Sequence, residues 1–255
     1  NKLMRLPRGA QEITTEMFGA TILSRVDNPV ALYYGYKTNG VYSTTEEAAK
    51  DGLYQETRTG EKQYFGAGDM RFVDTDHNGK INDNDRQVIG DPNPDIYGNF
   101  STQLTFKRFT LGLHFNYSLG NDLYNYQRSI LESGSFFYNQ TTAVLNRWNH
   151  EGQVTNIPRA TFLDEMGNSR FSDRWIEDGS YLKLKTVTRS YRIPINNLYI
   201  QGITIWGAAN NLFCITRYLG SDPEFSQSNS VLGIGIDRGM LAPGRTFNLG
   251  VKINL

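Results

Sequence analysis

Phe109-Thr-Leu111-Gly-Leu113-His-Phe115-Asn-Tyr117-Ser-Leu119 has an apolar residue at every odd position and a small or polar one at every even position. Successive side chains of an extended strand point to opposite faces, so a period of two gives one apolar and one polar face. Just upstream, Phe100-Ser-Thr102-Gln-Leu104-Thr-Phe106 alternates in the same way, and only Lys107-Arg108 separates the two runs. Two alternating runs joined by a tight polar turn predict a hairpin. The chain end repeats the pattern, with Phe247, Leu249, Val251, Ile253 and Leu255 on one face and Thr246, Asn248, Gly250, Lys252 and Asn254 on the other. Tyr181 to Ile193 and Tyr199 to Leu212 read as less regular strands joined by a turn at Pro194-Ile-Asn-Asn197, and Val30 to Lys37 reads as a sixth strand.

The connections have an asymmetry of their own. Those at 107–108 and 194–198 are short, whereas those at about 38–95, 119–180 and 214–244 are long and read as structureless. Long structureless connections are out of place in a compact soluble domain. They are the rule on one side of an outer-membrane barrel, where short periplasmic turns alternate with long extracellular loops. Strands of about eleven residues also suffice to cross a bilayer at a tilt. The expected class is therefore all-β, part of a large antiparallel transmembrane barrel with its C-terminus in the periplasm. Six strands cannot close such a wall, whose smallest form has about eight. An open edge in lipid would leave backbone groups without partners. The remaining strands would come from preceding sequence or from another chain, and the first is the expectation; Asn1, with no signal peptide ahead of it, is expected to be a processed or truncated end. Residues 1–29 form a segment of unclear role, and residues 30–255 the barrel portion.

Composition agrees with this class. The chain is rich in Tyr (15), Phe (14) and Gly (25), yet only 38% hydrophobic, with a mean hydropathy of −0.50. No stretch reaches the roughly 18 apolar residues of a membrane helix, but a barrel strand shows lipid only every second residue. Aromatic enrichment suits interfacial girdles, and equally a carbohydrate-binding β-sandwich. The 26 basic and 26 acidic residues form no basic stripe, so no nucleic acid is expected as a partner. Cys214, in Leu212-Phe-Cys-Ile215, reads as a small buried apolar residue.

Several segments resemble SusC/RagA-type TonB-dependent transporters. They are Tyr33-Tyr-Gly-Tyr-Lys-Thr-Asn-Gly40, Gly68-Asp-Met-Arg-Phe-Val-Asp74, Val88-Ile-Gly-Asp-Pro-Asn-Pro-Asp95, Ser118-Leu-Gly-Asn-Asp-Leu-Tyr124, Arg174-Trp-Ile-Glu-Asp-Gly-Ser-Tyr-Leu-Lys-Leu-Lys185 and Asn210-Asn-Leu-Phe213. Their order and spacing match from about residue 30 to the end. The resemblance implies the C-terminal part of a plugged barrel of the 22-stranded type. It also implies import of oligosaccharides or peptides across the outer membrane, energy from the TonB complex, and a SusD-like surface lipoprotein over the extracellular opening. The plug and the TonB-contacting segment would lie in other parts of the same transporter.

One motif carries recognisable metal chemistry. Asp74-Thr-Asp76-His-Asn78-Gly79-Lys80-Ile-Asn82-Asp-Asn-Asp85 fits the calcium loop D-x-[DN]-x-[DN]-G with an acid at its twelfth position. Calcium takes six to eight hard oxygens around one point. Side-chain oxygens of Asp74, Asp76 and Asn78, the Lys80 carbonyl, Asn82 and a closing Asp85 would supply them, with Gly79 at the sharp turn. The expected role is structural, tying down an extracellular loop over 74–85. At the chain end, Asn248-Leu-Gly250-Val-Lys-Ile253-Asn-Leu255 looks like the signal that barrel-assembly machinery reads on a last strand.

No catalytic constellation is legible, because His77, His114 and His150 are scattered and nothing pairs them with a nucleophile. His114 falls on the polar face of its strand. Phe136, Phe137 and Tyr138 could stack on a sugar ring or pack a loop or a partner, while Trp148 and Trp175 read as loop-core or girdle residues. Asp91 to Asp95 reads as a rigid turn into a strand, and Arg174, Glu177 and Asp178 as charges pairing among themselves. The rival reading is a secreted calcium-dependent carbohydrate-binding β-sandwich, with its alternating faces given to core and water.

Overall fold

A computed structural model describes residues 2–195, 199–225 and 230–254. Part of the turn expected at 194–198, and Leu255, lie outside the described residues. The chain divides into two compact units, one of 1–93, 122–177 and 226–239, the other of 94–121, 178–225 and 240–255.

The second unit is built on a five-stranded sheet in the order Thr246–Asn254, Gly202–Thr216, Tyr181–Ile193, Phe109–Leu119, Ile96–Phe106. Every neighbouring pair is antiparallel. The expected hairpin forms around Lys107 and Arg108, with Phe106 opposite Phe109, Leu104 opposite Leu111 and Phe100 opposite Phe115. Residues directly opposite in an antiparallel pair share a face, so the register joins the apolar positions into rows across the sheet. One row runs Phe106, Phe109, Tyr191, Ile205, Val251; the next runs Leu104, Leu111, Arg189, Gly207, Leu249. Phe106 is 72% exposed, Phe247 74% and Leu249 89%. A soluble sandwich would cover this face with a second sheet; here the apolar side chains stand open, as a lipid-facing wall requires.

A β-bulge interrupts the pattern at Lys185. Thr186 is opposite His114 but Leu184 is opposite Phe115, which leaves Lys185 as an extra residue against that neighbour. An added residue shifts the phase of alternation. Val187, Arg189 and Tyr191 therefore share the apolar face with Leu182 and Leu184, although the positions change from even to odd along the strand. On the other flank Asn211, with φ +55°, takes up the mismatch, and the strand continues to Thr216 instead of ending at Leu212.

The sixth expected strand exists but does not join the wall. Leu32–Gly35 pairs with Ala20–Arg25 and Gln87–Gly90 in a four-stranded sheet whose other edge is Glu12–Met17. Tyr33 is fully buried, so this strand lies in a packed core with no face left for lipid.

The long connections are not structureless. Together with the N-terminal segment they make the first unit, which has two apolar cores. One gathers Tyr36, Tyr42, Phe65, Met70, Phe72 and Ile81; the other gathers Ile22, Tyr33, Tyr124, Trp175 and Ile236. Aromatic residues dominate both, which lets short segments bury a large area per residue. The helix Thr45–Asp51 shows how local sequence sets these segments: the Thr44 hydroxyl accepts the Glu47 amide at its start, and Gly52, at φ +62°, ends it.

Candidate functional site

The acidic loop closes on itself in the first unit. Carboxylate oxygens of Asp74, Asp76 and Asp85 lie within 4.8 Å of one another. Gly79 donates its amide to Asp74 at 2.7 Å, and the Asn78 amide donates to both Asp74 and Asp76 at 3.3 Å. Gly79 has φ +79°, the left-handed conformation the sharp turn needs. Asp85 is fully buried and accepts the amides of Thr75 and Asn82, each at 2.8 Å. Burial pushes the Asp74 carboxyl up, but the amide hydrogen bonds from Gly79 and Asn78 outweigh it and hold the group below the usual carboxylate range.

Of the six expected ligands, the fold thus brings the three aspartates together. Asn78 and Asn82 instead turn their side-chain oxygens onto the amides of Lys80 and Asn84, at 2.7 and 2.8 Å. Each carboxamide oxygen keeps a second lone pair. The Lys80 ammonium turns away to pair with Glu56 at 2.6 Å. A bridge between Tyr54 and Lys80 and the buried side chain of Ile81 anchor the loop to its unit.

The polar face of the wall carries a charged cluster that periodicity alone did not reveal. The Lys183 ammonium contacts Asp222 and lies 3.1 Å from Glu224, which also accepts from Lys185 at 2.9 Å and from the Asn116 carboxamide at 2.9 Å. The segment after Thr216 therefore folds back over the polar face and is clamped there by ion pairs. Lys185 is the bulge residue and Lys183 lies two positions before it, and both reach Glu224. The only sequence signal was Lys-Leu-Lys at 183–185 followed about forty residues later by Asp222-Pro-Glu224, and only the fold links the two. Nearer the short turn on the same face, His114 Nδ1 shares a 2.7 Å hydrogen bond with the Ser101 hydroxyl.

The aromatics separate by environment. Trp175 is fully buried, donates to the carbonyls of Ser169 and Arg170, and is stacked by Arg174 at 4.2 Å. Trp148 packs over Gly68 and donates to the Ser43 carbonyl at 3.1 Å. Both are loop-core residues. Arg174, Glu177 and Asp178 do not pair among themselves: Glu177 takes Arg128 at 2.6 Å, Arg174 donates to the Glu132 carbonyl, and Asp178 accepts the Ser180 amide. Tertiary partners outcompete neighbours in sequence there. By contrast, Phe137 is 94% exposed and pairs with Phe162 at 5.4 Å, beside Phe136, Tyr138 and Leu163, which are also exposed.

Comparison with known proteins fits this architecture. No family model matches the chain. TonB-dependent receptor P3 of Formosa agariphila is 31% identical over 99% of the chain and 25% of its own length. The chain belongs to the SusC/RagA-type TonB-dependent receptors. Receptor P26 of the same organism is 27% identical over 89% of the chain, and SusC of Bacteroides thetaiotaomicron 25% over 71%. Among solved structures, the RagAB peptide transporter matches with a TM-score of 0.74 at 18% identity, over 99% of this chain and 25% of that one. The RagAB peptide importer in its closed-closed state matches with a TM-score of 0.71 at 21% identity, over 99% of this chain and 26% of that one. These likenesses show the fold, that of part of a large antiparallel barrel. The chain spans about a quarter of the length of the TonB-dependent receptor P3 it matches. TonB-dependent receptors are outer-membrane proteins.

Proposed function

We propose that this chain supplies wall strands and folded extracellular loops to a TonB-dependent outer-membrane importer of oligosaccharides or peptides. The observation that carries the reading is the two-sided sheet, with apolar rows open on one face and hydroxyl, amide and clamped ionic groups on the other. A polar bore behind a lipid-facing wall lets hydrophilic cargo pass. The short turn at Lys107-Arg108 and the larger folded segments at the opposite strand ends favour a periplasmic C-terminus. A plug and TonB-contacting segment elsewhere in the transporter would supply gating and energy. The exposed cluster around Phe137 and Phe162 is an apolar patch suited to the SusD-like lipoprotein.

The intact protein should fractionate with the outer membrane and require detergent, and a tag after residue 255 should become accessible only once the outer membrane is permeabilised. A gene deletion should abolish growth on one class of oligosaccharide or peptide. A monodisperse monomer in detergent-free buffer would sink the reading in favour of a soluble sandwich. Phe137→Asp should release a co-purifying lipoprotein without lowering barrel yield.

The acidic loop suits a structural calcium ion. Asp74, Asp76 and Asp85 converge, and Asn78, Asn82 and the Lys80 carbonyl lie within the same turn, a donor set of hard oxygens only. Calorimetry should give saturable calcium binding that Asp85→Ala removes, with a chelator exposing the loop to protease. Equal proteolysis with and without chelator would count against it.

A further inference from the structure

We infer that the outward face of the wall holds a phospholipid, its headgroup phosphate on Arg189 and one acyl chain in the furrow beside it. This rests on the proposed reading that the face lies in the membrane with the short turn on the periplasmic side. Arg189 is the charged member of rows otherwise made of Phe, Leu, Ile, Val, Tyr and small residues. Among the described residues no carboxylate lies within ion-pair distance of it; its one recorded partner is the Phe109 ring, 5.4 Å from the guanidinium carbon. An arginine with no counter-ion on a lipid face is destabilising, the more so the deeper it sits in the membrane. An anion from the lipid itself removes that penalty.

The position along the strand suits a headgroup. Arg189 is level with Leu104 and Leu111, two residues from the turn-side pair Phe106 and Phe109. At roughly 3.3 Å per residue and with a tilted strand, a long side chain there reaches the interface. Lys107 and Arg108 sit in the turn just beyond and add positive charge at the same level.

The surface supplies the other half of the ligand. Next to Arg189, Gly207 and Ala209 leave a furrow bounded by Val187 on one side and by Phe247 and Leu249 on the other. It leads from Arg189 to Val187 and Ala209, away from the short turn and toward the middle of the bilayer. Cation and furrow thus have the order of a phosphate and its acyl chain. A free phosphate would use only the first, and diacylglycerol only the second.

Native mass spectrometry of the intact transporter, delipidated in detergent and titrated with phosphatidylglycerol or with diacylglycerol of the same chains, separates the cases. The expected result is preferential uptake of one phosphatidylglycerol, reduced about fivefold in Arg189→Leu, the factor typical of one arginine near an anionic surface, with Arg189→Lys in between. Ala209→Leu, which fills the furrow without touching the charge, should weaken the same binding. Lipid uptake with no preference for the phosphate, or unchanged by Arg189→Leu, would overturn the phosphate site while leaving the membrane-facing wall intact. No association of either lipid would overturn both.

Discussion

Arg159 grips Asp69 through two parallel hydrogen bonds, Nε to Oδ1 at 2.8 Å and Nη2 to Oδ2 at 3.0 Å, and Asp69 is fully buried. Asn168 and the Gly66 amide complete the shell around the carboxylate at 2.9 and 2.8 Å. Segments about ninety residues apart in sequence are thereby pinned together. Removing Arg159 leaves the carboxylate with neutral donors only, and the expected cost is about 2–3 kcal/mol, below the full buried-pair value because the arginine is itself partly exposed. Hydrogen exchange at the Met70 amide, which donates to Asn168, should accelerate in Arg159→Ala and much less in Arg159→Lys.

Beside this pair, Gly68 has φ +83°, and a Cβ there would stand 2.5 Å from Cε3 of Trp148. Both the backbone conformation and the contact exclude a side chain. Gly68→Ala should displace the indole and destabilise the first unit by about 1–3 kcal/mol, seen as a red-shifted tryptophan emission and earlier proteolysis. Unchanged emission would mean the loop has another way to seat Trp148.

The wall was legible because its signal is local: Phe109–Leu119 alternates without a break, and period two needs no tertiary context. Tyr181–Ile193 looked less regular because the bulge at Lys185 changes the phase of alternation, which periodicity cannot separate from noise. Tyr33 and its neighbours misled for the opposite reason. A strand buried on both faces and one facing lipid are equally rich in aromatics, and only pairing with Ala20–Arg25 and Gln87–Gly90 tells them apart. The acidic loop was readable as a motif, since its aspartates are close in sequence. The Lys183–Glu224 clamp was not, because ion pairs spanning about forty residues leave no spacing rule to detect.

That clamp makes a pH prediction. Burial raises the Glu224 carboxyl, but hydrogen bonds from Lys185, Asn116 and Lys183 outweigh it, so the group sits below the usual range. A carboxylate depressed in the folded state contributes stability above its unfolded value of about 4.3, and this is lost as pH falls through the lower folded value. A spin label at Ser221, in a Cys214→Ala background, should stay immobile from pH 8 to about 5 and become mobile only below about 4. Glu224→Gln should be mobile throughout. High salt should affect the clamp little, because Lys183 and Asp222 are buried.

Val187 and Thr188 provide the sharpest test of which face meets lipid, because they are adjacent on one strand and differ only in the side they present. Val187 lies with Leu113 and Ala209 in the apolar rows, Thr188 opposite Gly112 and Ala208 on the polar side. An arginine on the lipid face near mid-membrane costs about 2–4 kcal/mol, whereas lumen positions tolerate charge. Val187→Arg should therefore lower the yield of heat-modifiable folded barrel severalfold, while Thr188→Arg leaves it near the parent level. The reverse ranking would invert the wall, and equal tolerance would remove the membrane from one of its two sides.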